Sequence, residues 1–257
     1  MPAFPASVAT LLQALSRAPG APRITWYGDD GERIELSGAV LENWVSKCTN
    51  LLVEELDAAP GTRVVLDLPA HWRSLVWALA AWRCGATLTA AEPADVVVTT
   101  RPDAWSGPRA ATGTGTAEVV AVALPALARR FDGDLPPGAI DAASAVMTYG
   151  DRIGWAPDTD PASPALDRTD EGDGDIVVHR DLIKVAARTA GVPDGARVLL
   201  DAGAAGPAQV LLTVVGVLAG DGSVVLVSPA TAGALRADAA RRARLVDGER
   251  VTLDLLA

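Results

Sequence analysis

Reactive side chains are scarce in this chain. Two of its 257 residues are cysteine and two are histidine. Cys48 and Cys84 are too few for a disulfide scaffold or a cysteine-rich zinc site. His71 and His179 are too few for a histidine metal centre. Phenylalanine, tyrosine and methionine also occur twice each, against seven tryptophans. Lysine is confined to Lys47 and Lys184, and arginine supplies the remaining basic groups. Long apolar runs are missing as well. Residues 202–220 are uncharged, but they include Pro207, Gln209 and four glycines. The strongly apolar part, 210–219, reads as a buried helix, too short to cross a bilayer. At the N-terminus no basic region precedes an apolar core and a small-residue cleavage site. Val8, Leu11, Leu12 and Leu15 instead recur at helical spacing. The expectation is a soluble, cytoplasmic protein with reduced cysteines and no membrane partner.

What is present is ordinary globular composition, 49% hydrophobic and 21% charged, at a length that fits one large α/β domain or two small ones. The net charge is −10, and residues 157–175 (PDTDPASPALDRTDEGDGD) alone carry seven acids and one arginine. That leaves about −4 on all other residues, so the acidity is one segment and not a field over the whole surface. Nucleic acid is excluded as a partner, because binding it needs clustered basic groups. The one basic cluster, Arg236–Arg244, reads as a solvated helix face. Three prolines and six net negative charges in 157–175 predict an exposed linker without regular structure that repels ATP phosphates.

Periodicity gives the order of elements. Short apolar runs flank Gly28-Asp29-Asp30-Gly31, a hairpin signal. Leu41, Val45, Cys48, Leu51 and Leu52 mark a helix with one apolar stripe. Strands follow at 63–68, 86–90, 95–99 and 118–124. The first two are joined by a helix carrying Trp72, Leu75, Val76, Leu79 and Trp82, and a short helix is expected from Pro125. Gly85 sits where a helix end requires positive φ. Trp77 falls off that helix's stripe and suits either a subunit interface, hence a homodimer, or a second buried face. After the irregular 132–175 come a strand at 176–178, a helix with Leu182 and Ile183, a strand at 197–201, the 210–219 helix and a strand at 223–227. Strands alternating with helices imply parallel sheets covered on both faces.

The stretch from Pro60 (PGTRVVLDLPAHWRSLVWALAAWRCGATLTA) is echoed from Pro193 (PDGARVLLDAGAAGPAQVLLTVVGVLAGDGSVVLV). Two readings stand: a generic likeness of βαβ units, or a pseudo-duplicated pair of α/β subdomains. The fold class is α/β, with two pseudo-duplicated, mainly parallel subdomains and helices on both sheet faces. The expected boundaries are 1–131, a connection at 132–175, and 176–257.

Asp67 and Asp201 end the equivalent strands of the two repeats. Carboxyl ends of parallel strands line ligand crevices, so each is a candidate for a hydroxyl or a metal ion; each would alternatively cap its own loop. His179 opens a helix and is a candidate ligand-binding or packed histidine. Together these three are the acid/base groups of an alternative reading, an enzyme of another α/β class such as a transferase or hydrolase. Thr112–Thr116 (TGTGT) lacks the lysine and the strand–loop–helix order of a phosphate loop and reads as a flexible surface loop. No Gly-x-Ser-x-Gly elbow occurs, which disfavours a serine hydrolase.

The order of these segments resembles the N-terminal part of the AMP-binding, acyl-adenylate-forming superfamily, which includes acyl-CoA synthetases, and short actinobacterial relatives of it. The resemblance rests on Leu36–Leu52, Pro60–Leu68, Arg83-Cys84-Gly85-Ala86, His179-Arg180-Asp181-Leu182 and 218–222 (LAGDG). It implies ATP, AMP or CoA as ligands. The family's phosphate loop falls at 167–175, where this chain has five carboxylates beyond Arg168 and Thr169 and no lysine. The family's aromatic-Asp pair falls near Gly206-Pro207, making Gly206 a further ligand-binding candidate. No counterpart of the adenine motif or of the C-terminal catalytic lysine is found. The expectation is therefore a truncated, non-catalytic relative that binds a nucleotide, acyl ligand or protein partner, with no catalytic residue and no metal assigned.

Overall fold

The computed structural model describes residues 4–90, 92–105, 117–169 and 174–256; Thr112–Thr116 lies outside them. In chain order the elements are α1 (Val8–Leu15), β1 (Pro22–Tyr27), β2 (Arg33–Ser37), α2 (Gly38–Leu56), β3 (Arg63–Asp67), α3 (Trp72–Arg83), β4 (Thr87–Thr89), β5 (Val96–Thr99), β6 (Glu118–Ala121), β7 (Ile140–Asp141), α4 (Ala142–Ala145), β8 (Pro164–Asp167), β9 (Ile176–Val178), α5 (His179–Ala190), β10 (Arg197–Asp201), α6 (Pro207–Ala219), β11 (Ser223–Val227), α7 (Pro229–Ala237), α8 (Ala239–Gly248) and β12 (Leu253–Asp254).

They make two compact units, each around its own sheet. The first comprises Met1–Glu42, Pro69–Leu75 and Ile183–Ala257 and holds a five-stranded sheet, β12-β10-β11-β1-β2. The second comprises Asn43–Leu68 and Val76–Leu182 and holds a seven-stranded sheet, β7-β6-β5-β3-β4-β8-β9. Among the described residues β1/β2 and β8/β9 pair antiparallel, and the other pairs run parallel. The units are thus interleaved in sequence, unlike the continuous blocks 1–131 and 176–257. The cause is β1: Ile24 to Tyr27 pair in register with Val224 to Val227, which draws the N-terminal hairpin into the sheet of the C-terminal repeat.

In the first unit, alternate residues of the sheet go to opposite sides. Leu199, Val225 and Val227 pack with Ala232 and Leu235 of α7 and with Leu256, and Leu245 and Val246 of α8 lie at the edge of this cluster. Val198, Leu200, Val224 and Leu226, which alternate with them, are equally buried. Helix α6 packs on β11 and α1 packs on α6. Gly216 of α6 is required: a Cβ there would stand 2.1 Å from the Ala186 carbonyl oxygen of α5. In the second unit the continuous apolar runs of β3 and β5 fit strands buried on both faces. Trp77 is buried and Trp82 Nε1 donates to the Ala165 carbonyl at 2.8 Å. Trp77 therefore belongs to a second buried face, which removes the exposed aromatic that suggested a subunit interface.

Several sequence expectations need correction. No helix starts at Pro125; the chain makes only a turn there, with Leu127 exposed and no surface to bury it against. The region 132–175 is not devoid of structure, since it contributes β7, α4 and β8. Within the acidic stretch, Pro164–Asp167 is a strand with Ala165 and Leu166 buried. The proline is accommodated because it is the first residue of the strand, where a missing N–H costs least. The basic cluster forms the end of α7 and the helix α8, and α8 has no buried residue, as a solvated face requires. Gly85 has φ +78°, as its place after α3 demands.

Candidate functional site

The two repeats match to the residue. Strand β3 pairs with β4 so that Arg63 faces Thr87 and Val64 faces Leu88; β10 pairs with β11 so that Arg197 faces Ser223 and Val198 faces Val224. Both repeats also share a reversal of strand order. The chain runs from β3 through α3 to β4 on one side and then places β5 on the other side of β3. It runs from β10 through α6 to β11 and then places β12 on the other side of β10. Such reversals are topological switch points, where the loops beyond the carboxyl ends diverge and leave a crevice. Asp67 ends β3 and Asp201 ends β10, so each unit has one aspartate at its switch point.

Both aspartates are engaged. Asp67 Oδ2 accepts from Thr99 Oγ1 at 2.7 Å and from Trp105 Nε1 at 2.9 Å, and Oδ1 accepts from Arg101 Nη2 at 2.7 Å. Burial opposes its ionisation, but the hydrogen bonds from Trp105, Thr99 and Arg101 outweigh burial and hold its pKa below the ordinary carboxylate value. Asp201 is buried; Oδ1 accepts from the Gly203 N–H at 2.7 Å and Oδ2 pairs with Arg236 Nη1 at 2.8 Å. Asp67, with three donors on its two oxygens and a depressed pKa, suits a group that orients its donors better than a general base. Asp201 likewise holds a loop N–H and an arginine.

Gly206 lies in the same unit as Asp201, as the N-cap of α6 without a side-chain cap, followed by Pro207. The intervening residues 203–206 are exposed. His179 is placed differently. Val178 pairs with Pro164, the first residue of β8, and β8 runs parallel to β4, which Gly85 and Ala86 precede. The ring bonds to the backbone of Gly85 and Ala86, and the backbone N–H of His179 donates to the Ser163 carbonyl at 3.0 Å. His179 therefore sits at the amino edge of the seven-stranded sheet, and Asp67 sits at its carboxyl edge. The two do not share a site, and burial, only partly offset by those backbone bonds, keeps His179 below the usual histidine pKa. The reading of Asp67, Asp201 and His179 as one acid/base set loses its geometry in the unit that holds two of them.

Thr99, Arg101 and Trp105 were not singled out in the sequence, and Arg236, read there as part of a solvated basic cluster, instead pairs with Asp201. The available signal was Arg101, a charge two residues beyond the end of an apolar strand. Among the described residues no group of three or more histidine, cysteine, aspartate or glutamate side chains could hold a metal ion.

The fold has known counterparts. An acyl-CoA synthetase from Brucella canis superposes with a TM-score of 0.67 at 17% identity, covering 90% of this chain and 45% of that one. The inhibitor-bound N-terminal domain of FACL13 from Mycobacterium tuberculosis gives 0.64 at 17% identity, covering 96% and 62%. Coronafacic acid ligase from Pectobacterium brasiliense gives 0.66 at 10% identity, covering 89% and 47%. The fold is that of an acyl-CoA synthetase N-terminal domain, and the chain spans about half to three fifths of the length of these proteins. No protein-family profile matches it. A TIGR03089 family protein from Mycobacterium tuberculosis is 37% identical over 226 residues, which is 85% of this chain and 88% of that protein. The chain belongs to the TIGR03089 family.

Proposed function

We propose that this protein is an acyl-CoA synthetase-like binding protein that does not form adenylates. The observation that carries the reading is the pairing of charges at the ends of the segment between β8 and β9, where the resembled superfamily has its phosphate loop. Asp167 and Asp175 flank that segment and carry depressed pKa values: Thr169 bonds to Asp167 and Arg168 bonds to Asp175. Arg168 is ion-paired to Asp175. Arg63 reaches across from β3 to Asp167 at 3.0 Å. Among the described residues these two arginines are thus paired with the flanking carboxylates. A phosphate brought within 4 Å of a carboxylate is repelled by about 1 kcal/mol in water and about 4 kcal/mol near a protein surface. The ligand in this reading is a small molecule taken at the switch-point aspartates and the Gly206 loop. Cys48 and Cys84, both buried thiols, support a cytoplasmic location. No helix among the described residues is long and apolar enough to cross a membrane.

Incubation with ATP, Mg2+ and a panel of carboxylates, followed by pyrophosphate release, tests the reading. The expected result is no release above the protein-free rate. Carboxylate-dependent turnover would overturn it and would bring back the enzyme alternative.

A further inference from the structure

We infer that β9 is a self-pairing edge: two copies of this chain join antiparallel along it, so that their seven-stranded sheets become one. Register, composition, anchoring and charge carry the inference. Strand β9 closes its sheet, with β8 on one side and no strand among the described residues on the other. At the two ends of the β8/β9 ladder the Arg168 N–H donates to the Asp175 carbonyl and the His179 N–H donates to the Ser163 carbonyl. Main-chain groups alternate in direction along a strand. Val177, opposite Leu166, therefore faces β8, and the Ile176 N–H and C=O and the Val178 N–H face away from it. The Val178 carbonyl belongs to α5, which starts at the next residue. Composition sets this edge apart. Natural sheet edges are guarded by charge or by brevity. Edge strand β2 exposes Arg33 and Glu35, and β7 and β12 are two residues long, each with an aspartate. Strand β9 is Ile-Val-Val, longer than β7 and β12 and without a charge, and Ile176 is 52% exposed.

The edge is also held in place. Its inner neighbour β8 is fixed to the sheet by Thr87 Oγ1, which donates to the Pro164 carbonyl at 2.8 Å, and by Trp82 Nε1, which donates to the Ala165 carbonyl at 2.8 Å. An edge already ordered pays less entropy on pairing. Charge selects the occupant. Asp175 immediately precedes β9 and Arg180 lies two residues beyond it, both exposed. Asp175 meets Arg168 through Oδ1, and Arg180 is loosely paired, with Nε 3.7 Å from Asp181. Antiparallel pairing about a two-fold axis brings the Asp175 end of each copy beside the Arg180 end of the other. That self-complementarity is what an isologous interface requires, and it favours a second copy over an unrelated strand. The pairing does not rest on the proposed function, and pyrophosphate release reports on adenylation separately.

Three residues a side bury far less than the about 800 Å² per partner of a standard interface, so the dimer should be weak, with a Kd on the order of 0.1 mM. Sedimentation of the wild type from about 10 µM to about 1 mM should show the mean mass rising from 26.4 kDa towards twice that value. Amide exchange read residue by residue by NMR locates the contact. Exchange at Ile176 and Val178 should slow about threefold or more between the dilute and the concentrated sample, while Val177, bonded to β8, stays slow in both. Ile176→Lys should keep the protein monomeric, because it sets a charge beside its own symmetry copy. Ile176 is half exposed, so this variant should melt in urea with the wild type. Arg180→Glu should weaken association about threefold at low salt and less at high salt. The inference is overturned if the wild type stays monomeric at about 1 mM, or if exchange at Ile176 and Val178 ignores concentration. It is equally overturned if either variant associates as the wild type does.

Discussion

Acid should unfold this protein from the first unit, and His71 is the reason. His71 is 4% exposed, and its Nδ1 accepts the Arg73 N–H at 3.1 Å. The Trp26 ring meets it edge-on at 4.4 Å, and the Trp72 ring lies 5.6 Å away. An acceptor at Nδ1 fixes the neutral tautomer with its proton on Nε2, and a second proton would break the bond to Arg73. Burial, reinforced by the charge of Arg73, pushes the pKa down from 6.5 to about 3. In the unfolded chain the value returns to about 6.5. Above pH 6.5 both states are neutral and His71 adds no pH dependence. Below it the unfolded chain takes up a proton that the folded chain refuses, so stability falls with pH until about pH 3. The slope approaches about 1.4 kcal/mol per pH unit once the unfolded histidine is protonated, which makes about 2.3 kcal/mol between pH 6.5 and 4.5. Carboxylates held low, such as Asp67 and Glu249, contribute in the same direction but at lower pH. His179 adds to the slope, since its pKa is also lowered. Asparagine at 71 can place Oδ1 where Nδ1 accepts from Arg73, and it does not titrate. Urea melts followed by tryptophan fluorescence from pH 7.5 to 4.5 should therefore show a shallower pH dependence for His71→Asn than for the wild type. Parallel curves would refute the assignment.

Two further outcomes follow from packing and charge. Gly216→Ala should destabilise by about 1–3 kcal/mol in a urea melt, since its Cβ would meet backbone and not a yielding side chain. Glu249→Gln should cost about 3–5 kcal/mol near neutral pH. The carboxylate accepts from Tyr27 at 2.6 Å, Arg33 at 2.9 Å and Arg197 at 2.6 Å, and its removal leaves the half-buried Arg197 uncompensated. Because burial is outweighed there by bonds from Tyr27, Arg197 and Arg33, the Glu249 pKa is depressed. The network's contribution should therefore be full above the ordinary glutamate pKa and be lost as pH falls through the lower folded value. In Glu249→Gln that acid-range loss should be missing from the melts.

Much of the fold is written in local pattern. The Asp-Gly hairpin, the α2 stripe and the runs RVVLD and RVLLD each declare their element, because one apolar period dominates each window. Strand β8 was hidden because only Ala165 and Leu166 are apolar between a proline and an aspartate. Its reason to exist is non-local: it fills the place between β4 and β9. The interleaving of the units was hidden for the same reason, since nothing within residues 22–27 says that Val224 will be their partner. The candidate site was half legible. Asp67 and Asp201 could be marked because strand ends are predictable from period and length. Their partners, Arg101 and Arg236, come from loops and helices whose return path depends on topology.

Register and the reversal of strand order together favour a duplication over a generic likeness of βαβ units. Any two βαβ units share right-handed crossovers. They need not share an arginine opposite the first residue of the next strand, an aspartate at the last residue, and a later strand returning to the far side of the first. Arg63 donates to Thr89 and Asp167, whereas Arg197 donates to Ser223, Thr25 and Glu249. Each arginine thus ties several elements of its own sheet together. Each aspartate then fixes an arginine beyond the carboxyl edge, Arg101 in one unit and Arg236 in the other. The two copies differ in exposure. Arg101 is 68% exposed over a carboxylate already satisfied by three donors, whereas Arg236, 39% exposed, pairs with a carboxylate that is 6% exposed. The strand-end aspartate thus has one structural task in both units, fixing an arginine supplied from a later segment of its own unit, and that task is met in one unit at a half-open carboxylate and in the other at a buried one.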